Sequence, residues 1–314
     1  MRITCQTPFL LLLHSSILLG ASWPSLLHCF MVNFIFVRHG ESKDNLRSVW
    51  AGVKDSPLSN HGMQQAEVLG DYLASTNIVI VYTSDLQRAK TTAKALRDKQ
   101  TNPLSIPFIE TSHLREQNFG AGEGMKFSKK EKGMSLAAHY AKGLFPALHT
   151  RQEKFPGGES LHDMARRAEM VIEEILLPHV VQESKDGVMK SIAIVSHGLF
   201  IGELVAAIIR RDRDYRGEVD VRNLRGMKNT GWTRLAVALK FPAPNGTVVS
   251  PSTKLAFNVR VTDVNRYAHL SNLHRQKGGI GSLAHDPAQK DIRSFLGGKQ
   301  KPAIVRPSQK PAPY

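Results

Sequence analysis

The apolar positions along this chain fall into two kinds of run. Phe34-Ile35-Phe36-Val37, Ile78-Val79-Ile80-Val81-Tyr82 and Ser191-Ile192-Ala193-Ile194-Val195-Ser196 are short, nearly continuous and rich in β-branched or aromatic residues. That is the pattern of strands buried on both faces. They predict strands over about 32–37, 78–82 and 191–196, with a shorter one at Phe108-Ile109 after a loop bracketed by Pro103 and Pro107. Ala66, Leu69, Tyr72 and Leu73 recur at helical spacing and predict an apolar face on a helix over about 60–75. Further helices are predicted over about 85–99, 161–177 and 199–210, the third stopping at Pro178. Residues 230–239 and 255–261 alternate as strands do, and 240–252 is a Pro-, Gly- and Ser-rich turn region. Strands alternating with helices predict an α/β fold: a three-layer sandwich with a largely parallel sheet and helices on both faces.

The strand ends carry the chemistry. The first strand runs into Arg38-His39-Gly40-Glu41-Ser42, and the strand 191–196 runs into His197-Gly198 before a helix. In open α/β sheets ligands bind just beyond the carboxyl ends of strands. Histidine is a competent nucleophile toward phosphorus, and the planar fork of arginine matches phosphate oxygens. Glycine lets a backbone approach a phosphate closely. Thr83-Ser84-Asp85-Leu86-Gln87-Arg88 follows the strand 78–82, so with Ser84 or Asp85 as helix N-cap Arg88 falls in a first turn beside a strand end. Leu114-Arg115-Glu116 places a carboxylate ahead of the glycine-rich Phe119-Gly120-Ala121-Gly122-Glu123-Gly124. Taken singly, a strand-end histidine, a helical arginine and a loop acid are each ordinary. Their joint recurrence at strand ends is not.

In order along the chain come Arg38-His39-Gly40-Glu41-Ser42 with Asn45, Leu58-Ser59 with Gly62 and Gln65-Ala66, and Ser84-Asp85-Leu86 with Arg88-Ala89 and Thr92-Ala93. Leu114-Arg115-Glu116 with Phe119-Gly120 and Glu123-Gly124, Gly157-Gly158-Glu159-Ser160 and Ser196-His197-Gly198 complete the set. Over roughly residues 31–270 this resembles the histidine phosphatase superfamily, the phosphoglycerate-mutase-like family. Gly278-Gly279-Ile280-Gly281-Ser282 is similar to the tails of fungal members.

The resemblance implies a phosphoglycerate-mutase-like fold and a phosphomonoester hydrolase acting through a phosphohistidine. His39 would attack phosphorus. Arg38, Arg88 and His197 would hold the phosphoryl oxygens, with Asn45 and the backbone of Gly198 as further donors. Glu116 would protonate the leaving oxygen and then activate water. No metal or other cofactor is implied, since the donors supply the positive charge. Neither an H-E-x-x-H nor a paired-cysteine pattern occurs. Ser160, with Asp163 three residues on, reads as a capping box for the helix 161–177 rather than as chemistry. The runner-up function is a phosphoglycerate-type phosphomutase, in which substrate and not water accepts the phosphoryl group. The third is a non-catalytic phosphate-binding module, which would be expected to lack the nucleophile or the acid.

Composition refines this picture. The 314 residues are 41% hydrophobic, enough for one sizeable α/β core with appendages. Both cysteines, Cys5 and Cys29, precede the first motif, so neither a disulfide nor a thiol nucleophile serves the domain. Segments 125–154, 210–228 and 275–314 carry +5, +3 and +6 of the net +15. A basic rim attracts an anionic substrate. The basic runs lack interleaved aromatics, so the expected partner is a small phosphorylated molecule and not nucleic acid. Residues 125–156 read as a basic, partly helical lid insertion in a catalytic domain spanning 31–271, and 272–314 as a basic, disordered tail. Residues 1–30 are either a secretion signal, with an apolar run over 9–20, or an extension upstream of a start at Met31. The second reading implies a cytoplasmic protein and the first a secreted one. Neither implies stable membrane insertion, because the run is too short and too interrupted. Asn245-Gly246-Thr247 is a glycosylation sequon. The oligomeric state is not encoded in any pattern found.

Overall fold

The computed structural model describes residues 31–182, 190–217, 219, 224, 226–240 and 255–288. Residues 1–30, the sequon, most of the 240–252 turn region and the tail beyond 288 lie outside the described residues. In chain order the elements are β1 (Val32–Arg38), α1 (Asn60–Tyr72), β2 (Ile78–Ser84), α2 (Gln87–Asp98), β3 (Phe108–Thr111), β4 (Phe127–Ser128), α3 (Leu136–Ala141), β5 (Phe145–Pro146), α4 (Leu161–Val171), α5 (Leu177–Val181), β6 (Ser191–Ser196), α6 (Gly198–Arg210), β7 (Trp232–Leu239) and β8 (Phe257–Arg266). A π-helical turn, Ile172–Leu176, joins α4 to α5.

One six-stranded sheet has the order β3-β2-β6-β1-β7-β8. Strands β3, β2, β6 and β1 pair in parallel, and β7 runs antiparallel to both β1 and β8. Alternation along β1 divides the core in two. Phe34 and Phe36 face a layer built by α4, α5 and α6. Ile35 and Val37 face the layer of α1 and α2 with Leu69, Ala89, Ala93 and Leu96. All four β1 side chains are fully buried. Adjacent parallel strands β1 and β6 therefore send their following helices to opposite faces. That is the switch point where an α/β sheet opens a crevice.

Several sequence expectations shift. The helix after 161 does not stop at Pro178. The π turn carries it through, with the Leu177 N–H bonding to the Ile172 carbonyl and Pro178 entering the first turn of α5, where a missing N–H is harmless. Tyr72 is about half exposed and leaves the apolar face of α1, packing against Trp232 and His269 instead. Neither Ser84 nor Asp85 caps α2 through its side chain, and the N-cap is Leu86. The Gln87 N–H is taken by Asp55 Oδ1 at 2.9 Å from a distant loop, because the Asp85 carboxylate is held by Arg115 at 2.7 and 2.6 Å. Strand β8 extends to Arg266, beyond the expected end at 261. The stretch after 272 does not leave the domain at once: the Leu283 carbonyl takes the Asn60 N–H at 2.9 Å and the His285 N–H bonds Leu58 at 2.8 Å.

The Ser160–Asp163 capping box is present at the start of α4. The insertion 125–156 contains the two-stranded β4–β5 pair and α3. It has its own small core of Phe119, Phe145 and Phe155 with Trp50 and Tyr140. Trp50 Nε1 donates to the Phe145 carbonyl at 2.9 Å, and Arg151 donates to the Glu203 carboxylate on α6 at 3.0 and 2.6 Å.

Candidate active site

Two strand ends bring two histidines together. The β1–β6 register places Arg38 opposite Ser196, so His39 and His197 follow side by side. Their ring centroids are 5.1 Å apart. His39 is held by its backbone. Its N–H donates to the Ser196 carbonyl at 3.0 Å, and its carbonyl accepts from Thr230 N at 3.2 Å and Asn229 Nδ2 at 3.1 Å. The His39 ring meets the Gly40 carbonyl at 2.6 Å through Nδ1. A carbonyl only accepts, so Nδ1 carries the proton and Nε2 keeps its lone pair. Burial, then the charges of Arg88 and Arg38, push the His39 pKa well below 6.5. The ring is neutral at pH 7.

His197 is fully buried, and both of its ring nitrogens lack a partner among the described residues. Arg38 Nε is likewise buried and unpartnered. Burial lowers the His197 pKa well below 6.5, with Arg88, His39, Arg38 and Arg167 adding to the effect. Native interiors rarely leave such polar atoms unsatisfied without a functional reason. Three orphaned nitrogens beside two guanidinium groups are the kind of polar set that an anion would satisfy.

The two arginines are fastened from behind. Arg38 Nη1 donates to the Met227 carbonyl. Arg88 lies near the start of α2 and is 2% exposed. Its Nη1 and Nη2 donate to the carbonyls of Lys54 and Gly52 at 3.1 and 2.6 Å. That loop is in turn held by Glu123, whose carboxylate accepts from the N–H groups of Val53 and Lys54 at 2.7 and 2.6 Å. A Cβ on Gly52 would fall 2.3 Å from Glu123 Oε1, so the loop has no room for a side chain there.

Glu116 approaches from the loop after β3. Its Oε1 accepts from Gln117 N and Phe200 N at 3.1 Å each, and its Oε2 from Leu199 N at 3.2 Å. The carboxylate thus satisfies two of the first N–H groups of α6, where the helix dipole favours an acid. It is also the chief opposing charge for Arg38 and Arg88, whose pKa values burial lowers and Glu116 partly restores. Gly198 begins α6; a Cβ there would sit 3.5 Å from Arg38 Nε, an ordinary contact, so space alone does not demand glycine. Asn45 is exposed near the mouth. Its Oδ1 accepts from Ser42 N and from Asn229 Nδ2 at 3.1 Å each, which leaves its Nδ2 as the end open to an anion. The fold therefore gathers His39, His197, Arg38, Arg88 and Glu116, with Asn45 at the rim.

Sequence reasoning missed three supports. Arg167 donates to the Glu159 carboxylate and to the carbonyls of His113, Arg115 and Glu116, while its guanidinium lies 4.3 Å over the Phe200 ring. It continues the apolar stripe of Met164, Ala168 and Val171 at i+3, and a charge on that face was a readable signal. Asn229 ties His39 to Asn45 but sits in a turn that no local pattern distinguishes. Thr230 adopts φ of 55°, a rare conformation for a β-branched residue. It is kept there by N–H bonds to the Arg38 and His39 carbonyls and by a 2.9 Å contact with buried His269. Among the described residues no cluster of His, Cys, Asp and Glu suits a metal ion, and no helix is long and apolar enough to cross a membrane.

The family model of the histidine phosphatase superfamily, branch 1, matches residues 34–238. A broad-specificity phosphatase of Saccharomyces cerevisiae is 33% identical over 170 residues, 54% of this chain and 66% of the yeast protein. A 2,3-bisphosphoglycerate-dependent phosphoglycerate mutase of Cytophaga hutchinsonii is 34% identical over 164 residues, 52% of this chain and 71% of that protein. Among solved structures, mycobacterial hydrolase 1 superposes with a TM-score of 0.57 at 22% identity, over 75% of this chain and 99% of its own, a likeness of fold.

Proposed function

The chain belongs to the histidine phosphatase superfamily, and within it we propose a phosphomonoesterase that works through a phosphohistidine on His39 and acts on small phosphorylated molecules. One observation carries the proposal: a neutral His39 with Nδ1 tied to Gly40, set against His197 and Arg38 nitrogens that have no partner. His39 Nε2 attacks phosphorus as the ester P–O bond breaks. Glu116, protonated as the phosphate anion's charge enters beside it, gives that proton to the leaving oxygen. Water then attacks the phosphohistidine, Glu116 takes a proton from it, the P–N bond breaks, and inorganic phosphate leaves. Because Glu116 Oε1 already accepts two N–H bonds and Oε2 only one, Oε2 is the oxygen with capacity to carry that proton. Arg38, Arg88, His197, Asn45 Nδ2 and the Gly198 N–H hold the transferring oxygens, so the step needs no metal ion.

The mutase of Cytophaga hutchinsonii matches this chain as well as the yeast phosphatase does, which keeps phosphoryl return to substrate as a second reading. The insertion 125–156, fastened to the 49–54 loop whose carbonyls hold Arg88 and to α6, is where we expect the two to differ. Rapid-quench labelling with a phosphomonoester panel tests the proposal. A phosphoenzyme on His39 that discharges to water supports it. Label on another residue overturns the mechanism, and isomerisation of 3-phosphoglycerate without net hydrolysis favours the mutase.

A further inference from the structure

Residues 275–285 lie along the outer side of the turn that presents His39. The Asn60 amide donates from Nδ2 to the Ile280 carbonyl at 3.0 Å, and its backbone N–H bonds Leu283 at 2.9 Å. Ser59 bridges to Ala284, and Lys43 Nζ donates to the Ser282 carbonyl. At the centre Arg275 grips Glu41, with Nη1 at 2.9 Å from Oε1 and Nη2 bonded to Oε2. Glu41 is 9% exposed and lies two residues after His39. Burial would raise its pKa, yet the bonds from Arg275 and Ser59 outweigh that and hold it ionised.

Glu41 is also clamped from inside. Its N–H donates to Gln65 Oε1 at 2.9 Å, its carbonyl accepts from Ser59 N at 2.8 Å, and its Oε1 accepts from Ser59 Oγ at 2.7 Å. Ser59 is the N-cap of α1, accepting from Gly62 N at 2.9 Å. The packing here has no slack. A Cβ on Gly62 would come within 2.0 Å of the Glu41 carbonyl oxygen, and one on Gly40 within 2.4 Å of the Gly62 carbonyl oxygen. A shift of Glu41 must therefore move Gly40, whose carbonyl fixes the His39 tautomer and ring.

We propose that Arg275 is a positioning residue for the nucleophile: the 275–285 strap, acting through the Glu41 carboxylate, sets where His39 Nε2 points. This rests on the reading of His39 as the nucleophile. Misplacement of a reacting group by about 1 Å costs on the order of 10²-fold in rate. A loosened strap should therefore slow attack more than it weakens phosphate binding, since Arg38 and Arg88 are anchored elsewhere, on the carbonyls of Met227, Gly52 and Lys54.

The test uses the full chain with p-nitrophenyl phosphate, measuring the rate of phosphoenzyme formation, the inhibition constant of inorganic phosphate, and thermal unfolding. Arg275→Met is expected to slow phosphoenzyme formation by about tenfold or more, with the phosphate constant changing much less. Arg275→Lys should recover part of the rate. The Glu41→Gln/Arg275→Met double variant leaves no unpaired buried carboxylate, so it should fold with near-original thermal stability and still be slow. Formation at the original rate in the well-folded double variant would overturn the proposal. So would an equal loss of rate and phosphate affinity in Arg275→Met. Absence of label on His39 in the unaltered protein would instead refute the nucleophile assignment, a separate outcome.

Discussion

His39 and His197 stand with ring centroids 5.1 Å apart and planes tilted by 58°, one ring tied to a carbonyl and the other without a partner. Both are kept neutral by burial and by the same two arginines. An arriving oxyanion reverses that balance for His197, because it supplies the acceptor and the negative charge the ring lacks.

Anion binding should therefore take up protons. Sulfate carries no titrating proton near pH 7, so it is a clean probe. Calorimetry in buffers of different ionisation enthalpy should show net proton uptake, lost in His197→Gln. Without ligand the sign for stability follows from the lowered values: above about pH 6.5 His39, His197 and His269 are neutral folded and unfolded, and just below it these three gain protons in the unfolded chain first. Stability should fall as pH drops through 6.5, and further toward the His269 value of about 4. Buffer-independent heats, or stability flat from pH 7 to 5, would contradict the electrostatic picture.

His39→Ala should abolish the phosphoenzyme and reduce turnover by roughly 10³-fold or more, as expected when a nucleophile is removed from a cooperating set. Acid-labile, base-stable label that persists in this variant would place the chemistry elsewhere.

Glu116→Gln should slow alkyl phosphates by about 10²–10⁴-fold and activated aryl phosphates far less, because only the former need a proton on the leaving oxygen. Glutamine can still accept an N–H from α6, so the helix start is largely kept. Equal losses on both substrates would assign Glu116 to holding α6 and balancing the arginines.

Arg167→Ala should destabilise the fold by about 3 kcal/mol, the low end for stripping one partner from a mostly buried ion pair. Three loop carbonyls and Glu159 lose their donor together. Activity should drop through Glu116, so the variant should lose selectively on alkyl phosphates. Denaturant titration and the two substrate classes check both parts.

Turnover should persist in excess EDTA, since the phosphoryl donors proposed here are side chains and backbone. Loss on chelation and recovery with Mg²⁺ or Zn²⁺ would show that the charge at the site is supplied otherwise.

Much of this was legible in the chain. Short continuous runs rich in β-branched residues and bounded by turn residues read as buried strands, so β1, β2 and β6 and the parallel sheet follow from local pattern. A glycine after each strand-end histidine marks a turn, and that located His39 and His197 at the same edge of the sheet. Element ends were less legible where a distant group intervened: Asp55 caps α2, and the π turn carries the chain past Pro178.

The sequence by itself determined the fold class and singled out His39, His197, Arg38, Arg88 and Glu116 as the candidate set, because those depend on period, strand ends and motif order. Only the tertiary structure decided how these groups are held. The Gly40 carbonyl fixes the His39 tautomer, Glu123 holds the loop that holds Arg88, Arg167 ties the Glu116 loop to α4, and Arg275 reaches across 234 positions to Glu41. Apart from neighbouring His39 and Gly40, these partners lie far apart along the chain and meet only after the sheet has formed. A bond to a distant backbone group or side chain adds no residue pattern of its own, so no local window could have named these partners, even where a charge on an apolar helix face such as Arg167 was itself legible.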